Sequence, residues 1–269
     1  MESGRVEGPL LLNGVELSWR DRGAGPPLLL LHETAATAAI WEPLIDAIGA
    51  DARTIAPDRR GWGASGAPEQ YAATTVEEQA ADADALLREI DAGPAVVCGA
   101  GLGAVVALEL LLRHRDLARG AVVVEPPLLA FLPEATQGLA VDRQRIAEAV
   151  QGGGPEAAID LYLGGGLPHL GPGAERIPDA VGPEARQRPL SLFAELGTVP
   201  AWSLRTAEML ATDAPSRIVV GAATPALLRS TSEQLALRLG ASELVDVGGE
   251  GLPHVSRAPE LTRLIGDLL

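Results

Sequence analysis

One stretch constrains this chain more than any other. An apolar run, Ala95-Val96-Val97-Cys98, meets alternating glycines in Gly99-Ala100-Gly101-Leu102-Gly103 and passes directly into an apolar segment of helical character over 101–113. Four consecutive β-favouring apolar residues read as a strand buried on both faces. Small residues at every second position after it allow a sharp strand-to-helix turn, because each absent side chain lets two backbones come close. Such strands, alternating with helices, imply a mostly parallel sheet covered on both faces. The remaining sequence supplies them. Pro27-Leu28-Leu29-Leu30-Leu31 is a second such run, and short strands are expected at 53–56, 121–124, 216–220 and 243–247. Helical spacing covers 36–48, 75–90, 225–239 and 258–268, and Thr75 with Glu78 three residues on forms a capping box. Near the N-terminus, Asn13-Gly14 splits the apolar stretches of 10–19 and marks a hairpin turn.

The rhythm breaks between Pro126 and Thr212. Glycine and proline are dense there (152–155, 164–166, 171–173), and short helices are expected at 142–150, 155–163, 190–196 and 203–210. The division that follows is a core of 1–125 and 213–269, with 126–212 inserted as a helical cap over one end of the sheet. A length of 269 residues suits one large core with an insertion better than two independent domains. The net charge of −15 repels phosphate backbones and anionic lipid surfaces, so neither nucleic acid nor a membrane is expected as a partner. Apolar runs fall far short of the ~20 residues that span a bilayer, and residues 1–9 carry no apolar signal core. The single cysteine, Cys98, makes neither an intrachain disulfide nor a cysteine-based zinc site, and no histidine pair has ligand spacing, so no metal is expected. The expectation is a cytoplasmic protein that takes a small molecule and needs no cofactor, with a homodimer left open.

The order of these elements, and the residues at their corners, resemble the α/β-hydrolase superfamily over nearly the whole chain outside the insertion. Leu28-Leu29-Leu30-Leu31-His32 resembles the strand that ends in that family's oxyanion loop. Asp58-Arg59-Arg60-Gly61-Trp62-Gly63-Ala64-Ser65 resembles its Asp-x-x-Gly-x-Gly-x-Ser loop. Gly99 to Gly103 stands where its Gly-x-Ser-x-Gly elbow belongs, and His254, in a loop after the last expected strand, where its general base belongs. The resemblance implies a mostly parallel central sheet flanked by helices, with a helical cap. Three positions depart from the pattern. Gly101 stands at the nucleophile position, Thr224 at the place of the acid after the seventh strand, and Glu33 in place of the usual glycine after His32. Glycine has nothing to attack with, so serine-type covalent chemistry is not expected.

The chemistry that remains is non-covalent. The resemblance implies that the Leu102 N–H opens a helix, where the dipole favours negative charge, and that the Glu33 N–H is a second oxyanion donor. Two such donors hold an oxyanion or enolate without a covalent step. His254 is the group expected to move a proton, and a histidine base works best with an acidic partner that orients it. Glu125, closing the strand at 121–124, is the first candidate; some superfamily members, haloalkane dehalogenases among them, carry their acid after this strand. Glu33 is the second. His32, Thr34, Ala100 and Pro126 are expected at the pocket, His32 chiefly bracing its loop, and Asp58 is expected to hold the glycine-rich loop. Cys98 is expected to act as a buried small hydrophobe, His114 as a solvated cation, and His169 to lie on the surface of the insertion.

Two other functions fit the same residues. A hydrolase-fold protein that only binds its ligand would keep the pocket and lose the chemistry. Gly99-x-Gly101-x-x-Ala104 also meets the G-x-G-x-x-A fingerprint of dinucleotide-binding oxidoreductases, with Glu125 closing the next strand. That reading leaves the Asp58 loop and His254 without a role, and the fingerprint normally opens its own βαβ unit rather than following about three strands.

Overall fold

The computed structural model of the chain describes residues 5–169 and 181–269. Its sheet has eight strands: β1 (Arg5–Leu12), β2 (Val15–Arg22), β3 (Pro27–Leu31), β4 (Arg53–Pro57), β5 (Ala95–Ala100), β6 (Ala118–Val124), β7 (Ser216–Val220) and β8 (Ser242–Asp246). They lie in the order β1-β2-β4-β3-β5-β6-β7-β8. β1 and β2 form an antiparallel hairpin, whose two turn residues, Asn13 and Gly14, both take the positive φ that a two-residue turn demands. β2 meets β4 antiparallel, and every pairing from β4 to β8 is parallel.

Helices cover both faces. α1 (Glu42–Ile48), entered through a 3₁₀ turn at Ala38–Trp41, packs against α11 (Ala258–Gly266) on one side. α2 (Val76–Glu89), α3 (Leu102–Arg113) and α9 (Ala226–Ala236) cover the other. The period-2 alternation of β3 divides its leucines between the layers. Leu28 and Leu30 join Trp41, Leu44, Leu261 and Ile265, while Leu29 and Leu31 join Leu86, Leu87 and Val105. All four leucines are buried, each contributing about 1.5–3 kcal/mol of transfer free energy. The capping box at α2 is formed as its sequence implies. Thr75 Oγ1 accepts from the Glu78 N–H, and the Glu78 carboxylate accepts from the Thr75 N–H.

Between β6 and β7 the chain forms α4 (Ala135–Leu163), α5 (Val181–Gln187), α6 (Pro189–Glu195), α7 (Thr198–Ala201) and α8 (Thr206–Leu210). The two helices expected at 142–150 and 155–163 are one run starting at Ala135, broken at Gly154, which takes φ 77° just before Pro155. The proline ring clashes with a helical residue before it, so Gly154 leaves the helical region, and proline's missing N–H removes a bond from the ladder. α5 and α7 were not legible from periodicity, the helix expected at 203–210 is the shorter α8, and the stretch 171–173 lies outside the described residues. Ile159, Tyr162 and Leu163 of α4 and Leu192 of α6 pack on Ala35, Ala36 and Trp62, so this segment rests on the loops that follow β3 and β4. No helix among the described residues is long and apolar enough to cross a membrane.

The strand order fixes where the loops converge. The chain leaves β3 towards β4 on one side and returns to β5 on the other. At such a switch point the two connections part, leaving a crevice beyond the carboxyl ends of β3 and β5. Glu33 and Gly101 follow those two ends.

Candidate active site

The β5–α3 turn is as tight as its glycines suggest. A Cβ on Gly99 would lie 2.1 Å from the Gly103 carbonyl oxygen, and one on Gly103 would lie 2.1 Å from that of Leu31. These glycines let β5, α3 and the end of β3 nest. Gly101 takes φ 53°, ψ −122°, and its N–H bonds the Val124 carbonyl at 3.0 Å. Leu102 is the first residue of α3, so its N–H has no intrahelical acceptor. A Cβ on Gly101 would stand 2.8 Å from the Glu33 Cβ. The Glu33 side chain therefore covers the place where a longer residue at 101 would project.

Glu33 reaches His254. Its Oε2 lies 3.1 Å from His254 Nε2, with the two side chains 15% and 2% exposed. This is an ion-pair distance, off the line of a good hydrogen bond, and neither the Glu33 oxygens nor the His254 nitrogens have a hydrogen-bond partner among the described residues. Burial alone would push the Glu33 carboxyl up. His254 beside it, with a smaller contribution from Arg59, outweighs that and holds it below its ordinary value. The Trp41 ring packs against His254, centroids 4.9 Å apart and planes tilted by 47°. His254 sits on α10 (Pro253–Ser256), not in the expected loop. Pro253 at the first helical position, where its missing N–H costs nothing, starts that single turn.

His32 is locked as a brace. The Arg59 N–H donates to Nε2 at 2.9 Å, which makes Nδ1 the protonated nitrogen, and Nδ1 lies 2.7 Å from the Glu33 carbonyl oxygen. Burial, then the Arg59 charge, holds its pKa well below that of a free histidine, so His32 stays neutral and has no lone pair left for a substrate proton. Asp58 pins the next loop, accepting from the Ala38 N–H at 2.7 Å and the Ala64 N–H at 2.9 Å.

The two positions after β6 and β7 face each other. Thr224 Oγ1 donates to the Glu125 carboxylate at 2.5 Å and accepts from the Gly221 N–H at 2.7 Å. Glu125 is buried and takes φ 51°, an uncommon conformation for a side chain beyond glycine. Of the two carboxylates expected to partner His254, Glu33 lies at ion-pair distance from it, and Glu125 accepts from Thr224. Ala100 ends β5 and is buried, and Thr34 is half-buried next to Glu33. Pro126 is buried, with its carbonyl turned to the Thr231 hydroxyl at 2.8 Å. No group of three or more His, Cys, Asp or Glu side chains among the described residues is placed to hold a metal ion.

The sequence profile of the alpha/beta hydrolase family matches residues 23–263, nearly the whole chain. This chain belongs to the alpha/beta hydrolase family. Among curated relatives, a 2-(acetamidomethylene)succinate hydrolase of Mesorhizobium japonicum is 31% identical over 165 residues, 61% of this chain and 56% of that protein. Epoxide hydrolase A of Mycobacterium tuberculosis is 30% identical over 207 residues, 71% of this chain and 63% of that protein. The matched stretch thus spans only 39–63% of the length of the curated relatives. In solved structures, an esterase from Thermogutta terrifontis superposes with a TM-score of 0.75 at 22% identity, covering 98% of this chain and 97% of that one. The enol-lactonase from Burkholderia xenovorans LB400 gives 0.74 at 20% identity, covering 96% and 98%. These likenesses establish the fold.

Sequence reasoning about this alpha/beta hydrolase missed three features of its site. Thr224, read as the place of an absent acid, is the donor to Glu125. Trp41, within the helical spacing of 36–48, is the ring against His254. Glu195 reaches the loop that follows β3 through Arg59. No local signal marks any of these contacts. His114 is half-buried, with Nδ1 2.8 Å from Asp84, rather than a free solvated cation; its two arginine neighbours in sequence had suggested exposure. His169 is half-buried too, its N–H bonded to Asp142 at 2.7 Å. Cys98 is buried in β5 and its thiol pKa is pushed up by burial, the behaviour of a small hydrophobe.

Proposed function

We propose that this alpha/beta hydrolase is an enzyme that binds a small, largely apolar molecule beneath a cap formed by 126–212. It moves a proton on that molecule through His254, without a serine nucleophile. The observation that carries this reading is the seat of Glu33, whose side chain stands over Gly101 with Oε2 3.1 Å from His254 Nε2. An imidazole base beside a carboxylate is one whose protonated form the carboxylate stabilises. The pair takes up one proton, from a water that attacks the substrate or from an acidic carbon, and returns it to the leaving group or product. The Leu102 and Glu33 N–H groups are the donors proposed for the developing oxyanion. Water-mediated hydrolysis and lyase- or isomerase-type proton transfer share this requirement. The names of the relatives make esters, lactones and epoxides the first classes to screen.

Glu33 also weighs against a dinucleotide at Gly99-x-Gly101-x-x-Ala104. A carboxylate over that turn repels a pyrophosphate at the place where the fingerprint would hold it.

The test is turnover of a substrate found in that screen. Removing the base in His254→Ala is expected to lower kcat by on the order of 10²–10⁴ while ligand affinity holds. Glu33→Gln should follow it and Glu125→Gln should fall less. Full turnover by His254→Ala would refute the catalytic role of His254, whereas ligand binding with no turnover by the wild-type chain would leave a hydrolase-fold protein that only binds its ligand.

A further inference from the structure

The ion pair between Arg59 and Glu195 is the most deeply buried in the described structure, at 3% and 0% side-chain exposure. Desolvating two charges offsets most of their attraction, so a buried pair is seldom kept for stability alone. Both ends of this one are tied to other groups. At α6, Glu195 Oε1 accepts from Arg59 Nη1 at 2.5 Å, Trp62 Nε1 at 2.9 Å and Gln79 Nε2 at 3.4 Å, and Oε2 accepts from Arg59 Nη2 at 3.3 Å. Arg59 also donates to the Gln79 side-chain oxygen. Its other end faces the site. Arg59 Nε donates to the His32 carbonyl at 2.8 Å and its N–H to His32 Nε2, while His32 Nδ1 donates to the Glu33 carbonyl. An unbroken chain of hydrogen bonds therefore runs from α6 to the peptide that carries Glu33.

Glu195 is not the sole contact that docks this segment. Ser191 Oγ donates to the Gly61 carbonyl at 2.7 Å, Arg188 Nη2 to the Gly63 carbonyl at 2.5 Å, and the Gly63 N–H to Glu184 at 2.7 Å. These contacts clasp the loop after β4 without passing through Glu195. What Glu195 adds is a fixed length and direction for the Arg59 side chain.

We propose that Glu195 is a positioning residue: through Arg59 and His32 it lets α6 set where the Glu33 carboxylate stands against His254. The inference rests on the reading of Glu33 and His254 as the working pair. A bidentate guanidinium–carboxylate contact holds its partners in one plane and one register, which a neutral or shorter side chain does not reproduce.

The experiment is NMR of the full chain with isotope-labelled histidine, the His254 ring signals being assigned with His254→Gln. Glu33→Gln defines the ring shifts of His254 without its partner. Glu195→Gln removes the charge and keeps the length; Glu195→Asp keeps the charge and shortens the reach. Both are expected to move the His254 ring carbon and nitrogen signals in the direction set by Glu33→Gln, with those of His114 and His169 unmoved. Wild-type His254 signals in either folded variant, even with a lowered melting temperature, would reduce Glu195 to a structural role and overturn the proposal. If Glu195→Gln fails to fold, Glu195→Asp carries the same comparison. The measurement needs no substrate, so its failure is distinct from a failure to find turnover.

Discussion

Replacing Gly101 by serine would place a side chain in the β5–α3 turn, and the structure sets what that costs. At φ 53°, ψ −122° a residue with a Cβ is held in a sparsely populated conformation, worth on the order of 1–3 kcal/mol. The new Cβ would also stand 2.8 Å from the Glu33 Cβ, nearer than such atoms approach. Because the atom it meets is next to the Glu33 backbone, the loop itself must shift, and overpacking of this kind costs about 1–3 kcal/mol. Gly101→Ser is thus expected to lose about 2–6 kcal/mol, which for a chain of this size lowers Tm by roughly 5–20 °C. Adding Glu33→Gly removes the overlap and leaves the strain, so the double variant should recover about 1–3 kcal/mol of that loss. Thermal and denaturant melts of the four proteins in the cycle give the coupling. Fluorophosphonate labelling reads whether the serine is attackable: the wild-type chain should not label, and Gly101→Ser/Glu33→Gly should label better than Gly101→Ser. If Gly101→Ser melts with the wild type, or the two changes simply add, then Glu33 and a side chain at 101 do not compete for the same space and the reasoning fails.

Thr224→Val deprives the buried Glu125 carboxylate of one donor and should cost about 1–3 kcal/mol in denaturant unfolding, a loss that should shrink when Glu125 is glutamine. An unchanged midpoint would mean that the contact is replaced by water. Stability should also fall on acidification in two stages. His32, with a folded pKa well below its ordinary 6.5, contributes stability that is complete above about pH 6.5 and is lost as pH falls towards the folded value; Glu33, depressed from 4.5, adds its own loss only below about pH 4.5. Denaturant midpoints measured across this range should show His32→Gln flattening the slope between pH 6.5 and 4.5 and Glu33→Gln flattening only the limb below it. Equal slopes in wild type and His32→Gln would contradict a neutral, buried His32.

The sequence by itself determined the layers and their corners. The leucine run of β3, the strand and glycines of 95–103 and the capping box of α2 act between residues adjacent or a few positions apart, so their pattern is also their structure. For the same reason Gly101 was legible as a residue with no side chain in a tight turn, and His32 and Asp58 as braces of their own loops. The helices between β6 and β7 were read less well, because their short turns are held by contacts with Gly61, Gly63 and Trp62 rather than by their own periodicity. What only the tertiary structure decided is which remote side chains meet. Thr224 and Glu125 lie 99 residues apart, and Arg59 and Glu195 lie 136 apart. Glu33 stands against His254 because the connections leaving β3 and β5 part at the switch point of the sheet, and the chain after β8 is folded back by α10. A sequence states the charge and reach of each of these groups. Which ones lie within 3 Å or so is set by the strand order and by the packing of helices on the sheet, and those depend on the whole chain at once.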